Sequence, residues 1–488
     1  MNDHLDVLVV GAGLSGIAAG YHLQKECPGK TYAILESRDT IGGTWDLFRY
    51  PGIRSDSDMY TLGYSFRTWK GAKAIADGPA ILEYIRDTAR EHGIERKIRF
   101  GHRVERATWS SDTALWTVHA RRADSGELVA LTCRFLLMCS GYYDYAAGYT
   151  PDFPGVAGYA GRVVHPQKWT GDIDYAGKRV VVIGSGATAV TLVPELAKKA
   201  AHVTMLQRSP TYIVSVPAVD VVARWLRRKL PDEVAYDVTR WKNVALSMAL
   251  FNFCRGFPDR AKKLMVDGIR KSMGPEFDVA KHFTPTYRPW DQRVCLVPDG
   301  DLFEALRSGR AEVVTDRIET FTEKGLRLQS GNELEADLIV MATGLKLLLL
   351  GGVQLSVDGR PVDVGKTVNY KGSMLSDVPN FAITIGYTNA SWTLKCDLVC
   401  EYVCRVLNHM DRKGYRQCVP RLKESGGDEE PLMNFSSGYI QRSLAQLPKQ
   451  GTKAPWRLYQ NYLLDLLGLR HGAVEDGILE FGGPAARS

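Results

Sequence analysis

The spacing of apolar residues follows the same order twice along the chain. An apolar run rich in β-branched residues (5–10) is followed by apolar positions at helical spacing (14–24) and by a second apolar run (32–36). The order returns at 178–183 and 202–207, with a helical pattern between them. Each copy predicts a strand, a helix and a parallel strand. The pattern therefore favours an α/β fold with two Rossmann-like units.

The turn after the first strand carries the glycine pattern Gly11-Ala-Gly13-Leu-Ser15-Gly16. Side chains in place of these glycines would keep a pyrophosphate away from the backbone N–H groups at the helix start, where the helix dipole favours anions. Glu36 ends the next strand, twenty residues after Gly16. Its carboxylate can accept hydrogen bonds from both ribose hydroxyls and would repel a 2′-phosphate. This unit is therefore predicted to bind FAD or NAD and not NADP.

The second unit differs from the first at the end of its second strand. Its glycine turn runs from Gly184 to Ala189, and Arg208 stands where the first unit has its acid, followed by Ser209. A guanidinium can bind a 2′-phosphate through two hydrogen bonds, so this unit is predicted to bind NADPH. The alternative for Arg208 is a solvated charge at a strand end. Two units with opposite ribose chemistry predict a flavoprotein that holds FAD and receives hydride from NADPH.

Composition narrows the class of protein without choosing a function. The chain has 488 residues, 45% hydrophobic and 24% charged, which is typical of a soluble globular protein with two or three domains. Its net charge of +7 is spread along the sequence, unlike the basic stripe of a nucleic-acid binder. The sequence has no apolar run of the ~20 residues that span a bilayer and no room for a signal peptide before Gly11, so we expect a cytoplasmic protein. The nine cysteines form no Cys-x-x-Cys pair, and no metal site is predicted.

The segment before the second glycine turn narrows the class of oxidoreductase. It contains Tyr159-Ala-Gly161-Arg-Val-Val-His165-Pro-Gln-Lys-Trp169 and resembles the fingerprint of Baeyer–Villiger monooxygenases, which usually begins with Phe and ends Trp-Pro or Trp-Asp. The loop from Gly42 to Asp56 and the segment Met341-Ala-Thr-Gly344 are similar to the same family of class B flavoprotein monooxygenases. Segments 209–212, 289–293 and 386–392 are most similar to its ethionamide-activating branch.

The resemblance implies a reaction and two catalytic residues. In this family NADPH reduces FAD, dioxygen adds to give a 4a-peroxyflavin, and the peroxide attacks a ketone to give an ester or lactone. By position, Arg293 is the cation that stabilises the anionic adducts, and Asp56 orients it. Taken alone, an arginine at this place is more often the partner of a surface ion pair. The lysine that commonly precedes this arginine is Gln292 here, which removes one expected contact to NADPH.

The glycine turns and the resemblance together predict which residues hold each cofactor. The residues predicted for FAD are Gly11, Gly13, Ser15, Gly16, Glu36, Gly43, Thr44, Trp45, Asp46, Leu47, Asp56 and Val104. The residues predicted for NADPH are Arg54, Ser55, Ile183, Gly184, Ser185, Gly186, Ala187, Thr188, Ala189, Gln207, Arg208 and Ser209.

Two further residues have competing interpretations. An isolated histidine is usually a hydrogen-bonded structural group, and we interpret His165, between the two units, as a residue that couples their movement without taking part in the chemistry. Trp456 is a weaker candidate for closing over the nicotinamide, and core packing explains it at least as well.

These placements predict a discontinuous FAD domain (1–150 and 384–488), an NADPH domain (160–345) and a connection (346–383). A helix near 393–407 is expected to point its start at the flavin. Residues 213–285 are predicted to form a helical insertion in the NADPH domain. Their mixture of basic and apolar residues is typical of helices that cap a substrate pocket and, less often, of helices that contact a membrane surface.

Three other classes of protein compete with a ketone oxygenase. A heteroatom monooxygenase acting on amines or sulfides shares both nucleotide units, but its fingerprint usually lacks the final tryptophan that Trp169 supplies. A disulfide reductase needs a cysteine pair in 37–60, which contains none. A module that only binds nucleotides has little use for two cofactor sites. The apolar segment 346–353 favours an apolar substrate, and we predict linear or aryl-alkyl ketones, with sulfides as a side activity. Dioxygen is the other expected partner, and the sequence does not predict the oligomeric state.

Overall fold

The computed structural model describes residues 4–422, 428–433 and 435–483. Its first sheet contains, in spatial order, Arg360–Pro361, Gln354–Val357, His102–Ser110, Leu115–Arg122, Leu128–Met138, His4–Val10, Tyr32–Leu35 and Ile98–Arg99, with Phe381–Ile383 also paired to Leu128–Met138. His4–Val10 lies parallel to both neighbours, as a strand–helix–strand unit requires. Tyr32–Leu35 is buried along its whole length because helices or strands cover both of its faces.

The second sheet is parallel throughout. It contains, in spatial order, Ala311–Thr315, His202–Gln207, Arg179–Ile183, Leu338–Met341 and Arg162–Val164. The fingerprint segment supplies the last of these strands, at one edge of the sheet. The predicted α/β fold with two Rossmann-like units is confirmed.

The described residues also form five smaller groups of strands and thirteen α-helices. The strand groups are Ile213–Val216 with Cys295–Pro298; Ile318–Thr322, Gly325–Leu328 and Glu333–Glu335; Asn369–Tyr370 with Met374–Leu375; Gln417–Pro420 with Leu479–Gly482; and Glu429–Pro431 with Lys449–Gly451. The helices are α1 Leu14–Glu26, α2 Thr44–Leu47, α3 Met59–Leu62, α4 Gly78–Glu91, α5 Ala187–Leu196, α6 Val221–Arg227, α7 Asp232–Gly256, α8 Pro258–Met273, α9 Val279–Phe283, α10 Asp301–Arg307, α11 Trp392–Lys413, α12 Gly438–Gln441 and α13 Tyr462–Asp465. Within the described ranges, none of these helices has both the length and the apolar character to cross a bilayer.

The segment 346–383 is more than a connection. Its strands Gln354–Val357 and Phe381–Ile383 join the first sheet, where Leu355 and Phe381 are buried in the core. The first domain therefore takes in most of a segment that the sequence analysis assigned to neither domain. The outermost residues of the predicted FAD domain, 1–3 and 484–488, lie outside the described residues.

The insertion at 213–285 packs on both domains. It begins with a strand, Ile213–Val216, and only then becomes helical. Ala223 of α6 and Tyr236 of α7 belong to the core under the first sheet, whereas Ile269 of α8 and Phe283 of α9 belong to the core of the second. The insertion is therefore shared between the domains, because its two helix pairs bury their apolar residues against different sheets.

Candidate active site

Both glycine turns open into one cavity with a volume of about 1300 Å3. In the first turn, Gly11 has a φ of +103°, and a Cβ there would lie 2.6 Å from the carbonyl oxygen of Cys139. A Cβ at Gly16 would lie 1.9 Å from the carbonyl oxygen of Gly11. Gly13 caps the start of α1 and faces Gly43. The positions of Gly11 and Gly16 accept only glycine, and the turn leaves the first N–H groups of α1 open to an anion, so it fits the pyrophosphate of FAD.

Glu36 is fixed at the end of its strand and lines the same cavity. Its side chain is buried, with Oε2 accepting from the Ala12 N–H at 2.7 Å and Oε1 accepting from the Arg38 N–H at 2.9 Å. Oε1 also accepts from the Ser37 hydroxyl at 3.2 Å, so Oε2 is the oxygen that keeps a free lone-pair direction for a ribose hydroxyl. Ser15 and Val104, which are also predicted to contact FAD, line the same cavity.

The loop at α2 divides into residues that line the cavity and residues that support it. Gly43, Thr44 and Trp45 line the cavity. The carboxylate of Asp46 is 3% exposed and pairs with Arg38, and with Arg49 and Arg86 at 3.2 Å each. Leu47 packs against the core of the second domain. Asp46 and Leu47 therefore do not line the cavity. The buried carboxylate of Asp46 is stabilised by its arginine partners, and the apolar side chain of Leu47 is stabilised by packing in the core.

The second glycine turn repeats the same backbone requirement. Gly184 has a φ of +139°, and a Cβ there would lie 2.3 Å from the carbonyl oxygen of Ala342. Gly186 caps the start of α5. The Ser185 hydroxyl lies 2.7 Å from the Thr211 hydroxyl, which holds the turn against the next loop. The predicted NADPH residues that line the cavity are Arg54, Ser55, Ile183, Gly184, Ser185, Gly186, Ala187, Thr188, Arg208 and Ser209.

Arg208 is exposed at the mouth of the second unit and forms no ion pair with another described residue. Its guanidinium is therefore available for a 2′-phosphate. Gln207, the residue before it, is buried and donates to the carbonyl oxygen of His282 at 2.7 Å and to the Thr315 hydroxyl at 2.9 Å. Gln207 therefore does not line the cavity, and neither do Gly16 and Ala189. These three residues support neighbours that do line it.

The side chain of Arg54 already has a carboxylate partner. Its guanidinium pairs with Asp301, the first residue of α10. The neighbouring Ser55 hydroxyl accepts from the Ser57 N–H at 2.9 Å. Both residues line the cavity between the two glycine turns, so a nucleotide contact from Arg54 must be shared with Asp301.

Arg293 and Asp56 meet in this cavity. The Nε of Arg293 lies 2.6 Å from the Oδ2 of Asp56, and both side chains are about one-third exposed to the cavity. The pair joins the loop after α2 to the loop before strand Cys295–Pro298. The carboxylate of Asp56 raises the pKa of Arg293 above its already high ordinary value. The guanidinium is therefore a permanent cation whose edge toward the cavity remains open.

Three tyrosines surround this cation, and the sequence analysis did not select them. Tyr142, Tyr143 and Tyr439 line the cavity beside Arg293, and burial raises the pKa of each phenol. They are therefore neutral at physiological pH, and the hydroxyls of Tyr142 and Tyr143 lie 3.3 Å apart, so one of these two donates to the other. The ring of Tyr142 also contacts Trp392 at the start of α11, with ring centroids 5.1 Å apart. A signal was available for two of them, since Tyr142 and Tyr143 follow the carboxyl end of a strand, where loops of an α/β sheet form sites.

The predicted fingerprint residues Tyr159, His165 and Trp169 lie in or beside the second domain. The His165 ring lies against Gly148, where an added Cβ would be 2.0 Å from Cε1, and its Nε2 lies 3.1 Å from the Gly344 carbonyl oxygen. Burial lowers the pKa of His165, so the ring is neutral at pH 7 and donates that bond. Tyr159 donates to the Ala336 carbonyl oxygen at 2.9 Å, and Trp169 packs in the core of the second domain. None of the three lines the described cavity.

Trp456 belongs to the packed interior. It is 4% exposed, lies in the core that contains α1 and α11, and meets the ring of Tyr370 edge-on at 5.6 Å. These surroundings agree with the interpretation of Trp456 as a core residue. Closure over the nicotinamide would need a side chain that reaches the cavity, and Trp456 does not line it.

Comparisons with known proteins agree with a site for two nucleotides. A family model described as flavin-binding monooxygenase-like matches residues 74–223, and a model of an NAD(P)-binding Rossmann-like domain matches residues 9–87. The FAD-containing monooxygenase EthA of Mycobacterium tuberculosis is 56% identical over 482 residues, which cover 99% of this chain and 98% of EthA.

Solved structures have the same fold at lower identity. An oxidised steroid monooxygenase bound to NADP has a TM-score of 0.75 and 23% identity, covering 98% of this chain and 100% of its own. An open form of cyclohexanone monooxygenase has a TM-score of 0.72 and 23% identity, covering 86% of this chain and 90% of its own.

The chain therefore belongs to the FAD-containing flavoprotein monooxygenases, the broader family to which its sequence motifs point. It is an NADPH-dependent enzyme whose cofactors are FAD and NADPH.

Proposed function

We propose that this enzyme is a Baeyer–Villiger monooxygenase that converts apolar linear or aryl-alkyl ketones to esters. The observation that carries the proposal is the Arg293–Asp56 pair, which lines the same cavity as both glycine turns. The overall reaction consumes one ketone, one dioxygen, one NADPH and one proton. It yields an ester, NADP+ and water, with one oxygen atom inserted next to the former carbonyl carbon.

The charge of Arg293 suits this reaction. Attack of a peroxide on a carbonyl passes through a tetrahedral adduct with a negative oxygen, and a preorganised cation lowers the energy of that charge. An arginine keeps its proton at any working pH, unlike a lysine or histidine in the same place. Asp56 holds one edge of the guanidinium and leaves the other edge free for substrate and cofactor oxygens.

The remaining residues of the cavity have supporting roles in this proposal. When bound, FAD takes hydride from NADPH and activates dioxygen. Glu36 and the first glycine turn hold FAD, while Arg208, Ser209 and the second turn hold NADPH. The neutral phenols beside Arg293 add no negative charge, and Tyr439 together with one of the paired Tyr142 and Tyr143 hydroxyls can donate hydrogen bonds to substrate or cofactor oxygens.

Apolar side chains in the walls of the cavity favour an apolar substrate. Leu348, Leu350 and Val353 line the main cavity, and they come from the segment whose composition predicted such a substrate. A small adjoining cavity touches Arg293 and is lined by Met433 and Phe435 among other residues. Apolar and aromatic walls with one convergent cation are typical of a site that binds a hydrocarbon chain or ring and orients one carbonyl.

The test is product analysis with purified enzyme, NADPH and isotopically labelled dioxygen. Linear ketones, aryl-alkyl ketones, small cyclic ketones and thioethers are supplied separately, and the products are identified by mass spectrometry. We expect esters carrying one labelled oxygen from the first two groups, with slower sulfoxide formation from thioethers. Labelled sulfoxide or N-oxide without any ester from any ketone would assign the enzyme to the heteroatom monooxygenases. Faster turnover of small cyclic ketones would overturn the predicted substrate class.

A further inference from the structure

Exposed large apolar side chains are concentrated on two segments of the molecule. Of seventeen such residues in the described part of the chain, all but Phe100 and Leu128 lie in 221–264 or 459–467. We call these fifteen residues the apolar face: Val221, Val222, Trp225, Leu230, Val234, Val238, Trp241, Leu246, Leu250, Phe257, Leu264, Tyr459, Leu463, Leu464 and Leu467. A monomeric protein seldom exposes a patch of this kind without a binding role.

The two segments adjoin. Trp241 of α7 contacts Tyr462 of α13, with ring centroids 5.8 Å apart, and Leu463 and Leu464 follow in the same helix. Along α7, Val234, Val238 and Trp241 are spaced by four and three residues, so they lie on one side of the helix. The apolar face therefore continues from α7 onto the C-terminal helices.

The opposite side of α7 is anchored, so the helix cannot turn these residues inward. Arg240 is buried, and its Nη1 donates to the carbonyl oxygens of Tyr60 and Gly63 at 2.7 Å each. Tyr236, one turn earlier, donates to the Tyr64 carbonyl oxygen at 2.9 Å. Breaking these bonds would leave the buried Nη1 of Arg240 without hydrogen-bond acceptors, which is costly. Val234, Val238 and Trp241 are thus held toward solvent.

The same region carries most of the net charge of the protein. Residues 221–264 contain ten Lys or Arg and four Asp or Glu, a net charge of +6, whereas the whole chain has +7. Charged residues are spread along the whole sequence, but the excess of positive over negative charge is concentrated in this segment. On the short helix α6 and just after it, Arg224, Arg228 and Lys229 are exposed beside Trp225 and form no ion pair with another described residue.

We propose that the apolar face docks on a lipid membrane surface that contains anionic lipids. Exposed tryptophan and leucine side chains enter the boundary between headgroups and acyl chains, while the surrounding arginines and lysines bind anionic headgroups. A second copy of this chain is a poorer occupant, because self-association through this face would bring two surfaces of like charge together. The proposal concerns the outer surface and does not depend on which substrate the enzyme oxidises.

Vesicle flotation with the full-length, FAD-loaded enzyme tests the proposal. One set of vesicles contains phosphatidylcholine alone, and the other contains phosphatidylcholine mixed with phosphatidylglycerol. We expect the enzyme to float with the mixed vesicles, to bind phosphatidylcholine vesicles weakly, and to be released as salt concentration rises. The triple variant Arg224→Gln, Arg228→Gln, Lys229→Gln should lower the partition coefficient on mixed vesicles by about 100-fold. Trp225→Ser with Leu246→Ser should lower it on both kinds of vesicle.

A matched triple variant removes the same charge elsewhere. Lys324→Gln, Arg360→Gln, Lys366→Gln changes three exposed basic residues outside the apolar face and should reduce binding only slightly. All variants should keep their FAD and their NADPH oxidation rate in detergent-free solution, which shows that they are folded. Absence of flotation, or equal losses in the two triple variants, would overturn the proposal. It would also be overturned by a dimer in sedimentation velocity that Leu246→Ser dissociates while vesicle binding is absent.

Discussion

The indole N–H of Trp392 donates a hydrogen bond to the hydroxyl of Ser15, with 2.8 Å between nitrogen and oxygen. Trp392 is the first residue of α11, and Ser15 lies in the first turn of α1, so the bond joins two helix starts that are distant in sequence. The Cys396 thiol lies 3.8 Å from the Ser15 carbonyl oxygen, one turn along α11. The late part of the chain thereby supports the first glycine turn directly.

Replacing Trp392 with Phe should weaken FAD retention. The change removes a half-buried hydrogen-bond donor from the Ser15 hydroxyl. The loss corresponds to about a 3- to 10-fold increase in the FAD dissociation constant. The measurement is flavin fluorescence released on dilution of the holoenzyme. Trp225→Phe changes an exposed tryptophan in α6 and should leave retention unaltered. Equal FAD affinity in wild type and Trp392→Phe would show that the bond does not organise the turn.

Replacing Arg293 with Ala should separate oxygenation from the earlier steps. The variant should bind FAD and oxidise NADPH, since the glycine turns are untouched, while ester formation falls by about 100- to 1000-fold as a charge-stabilising donor is lost. NADPH consumption and ester yield are measured in the same reaction. Arg255→Ala is the matched control, because Arg255 also pairs with a carboxylate, that of Asp291 at 3.0 Å, but in a more exposed position. Unaltered ester yield in the Arg293 variant would remove this residue from its proposed role.

The backbone requirements of the site were predictable because they are local. Gly11 and Gly184 each have a positive φ and face a carbonyl oxygen at the end of a neighbouring strand. Both requirements can be predicted from the short glycine motif alone. The strand–helix–strand order around each turn is also visible in apolar periodicity. Arg293 and Asp56 are far apart in sequence, and their proximity was inferred only through the family resemblance.

Contacts between distant elements explain what the sequence did not reveal. Asp46 lies in a predicted FAD loop, but Arg86 from α4 and two other arginines draw its carboxylate away from the cavity lining. Apolar periodicity found helices in the insertion without showing which sheet receives them, so α7 was assigned to one domain and packs on the other. Tyr439 reaches Arg293 from a segment with no motif of its own.

Replacing Arg208 with Ala should change the choice of nicotinamide cofactor. Its guanidinium has no described ion-pair partner, so binding a 2′-phosphate would not require breaking an existing pair. Loss of a charge-assisted contact of about 1.5–3 kcal/mol predicts a KM for NADPH that rises about 10- to 100-fold, with little change for NADH. The measurement is the steady-state oxidation of each cofactor, which gives the ratio of the KM for NADPH to the KM for NADH. Arg317 also lines the cavity, and Arg317→Ala is the matched control, which should change the ratio less. A ratio unaffected by Arg208→Ala would favour the solvated strand-end interpretation.

His22 makes stability depend on alkaline pH. Burial alone would lower the pKa of His22, but Asp397 and Glu26 outweigh it and raise the pKa to about 9 from an ordinary value of 6.5. The Nδ1 of His22 lies 2.9 Å from Glu26, and its Nε2 lies 3.6 Å from Asp397. Because the folded-state pKa is raised, the stabilisation from the charged ring is complete below pH 6.5 and disappears as pH rises through 9.

The test compares wild type with His22→Gln, which keeps a polar side chain but carries no charge. The free energy of unfolding of the wild type should exceed that of His22→Gln by on the order of 3 kcal/mol at low pH. This difference should shrink steadily as the pH rises from 6.5, the ordinary pKa of histidine, to about 9, the pKa of His22 in the folded protein. Thermal unfolding of the holoenzyme is followed at pH 6 and at pH 9.5 under otherwise equal conditions. His4→Gln, at an exposed position of the first strand, should show no such trend. A difference between wild type and His22→Gln that is the same at both pH values would mean that the buried ring is neutral in the folded protein. Asp397 would then have only Arg240, whose Nη2 lies 3.6 Å away, as its cationic partner among the described residues.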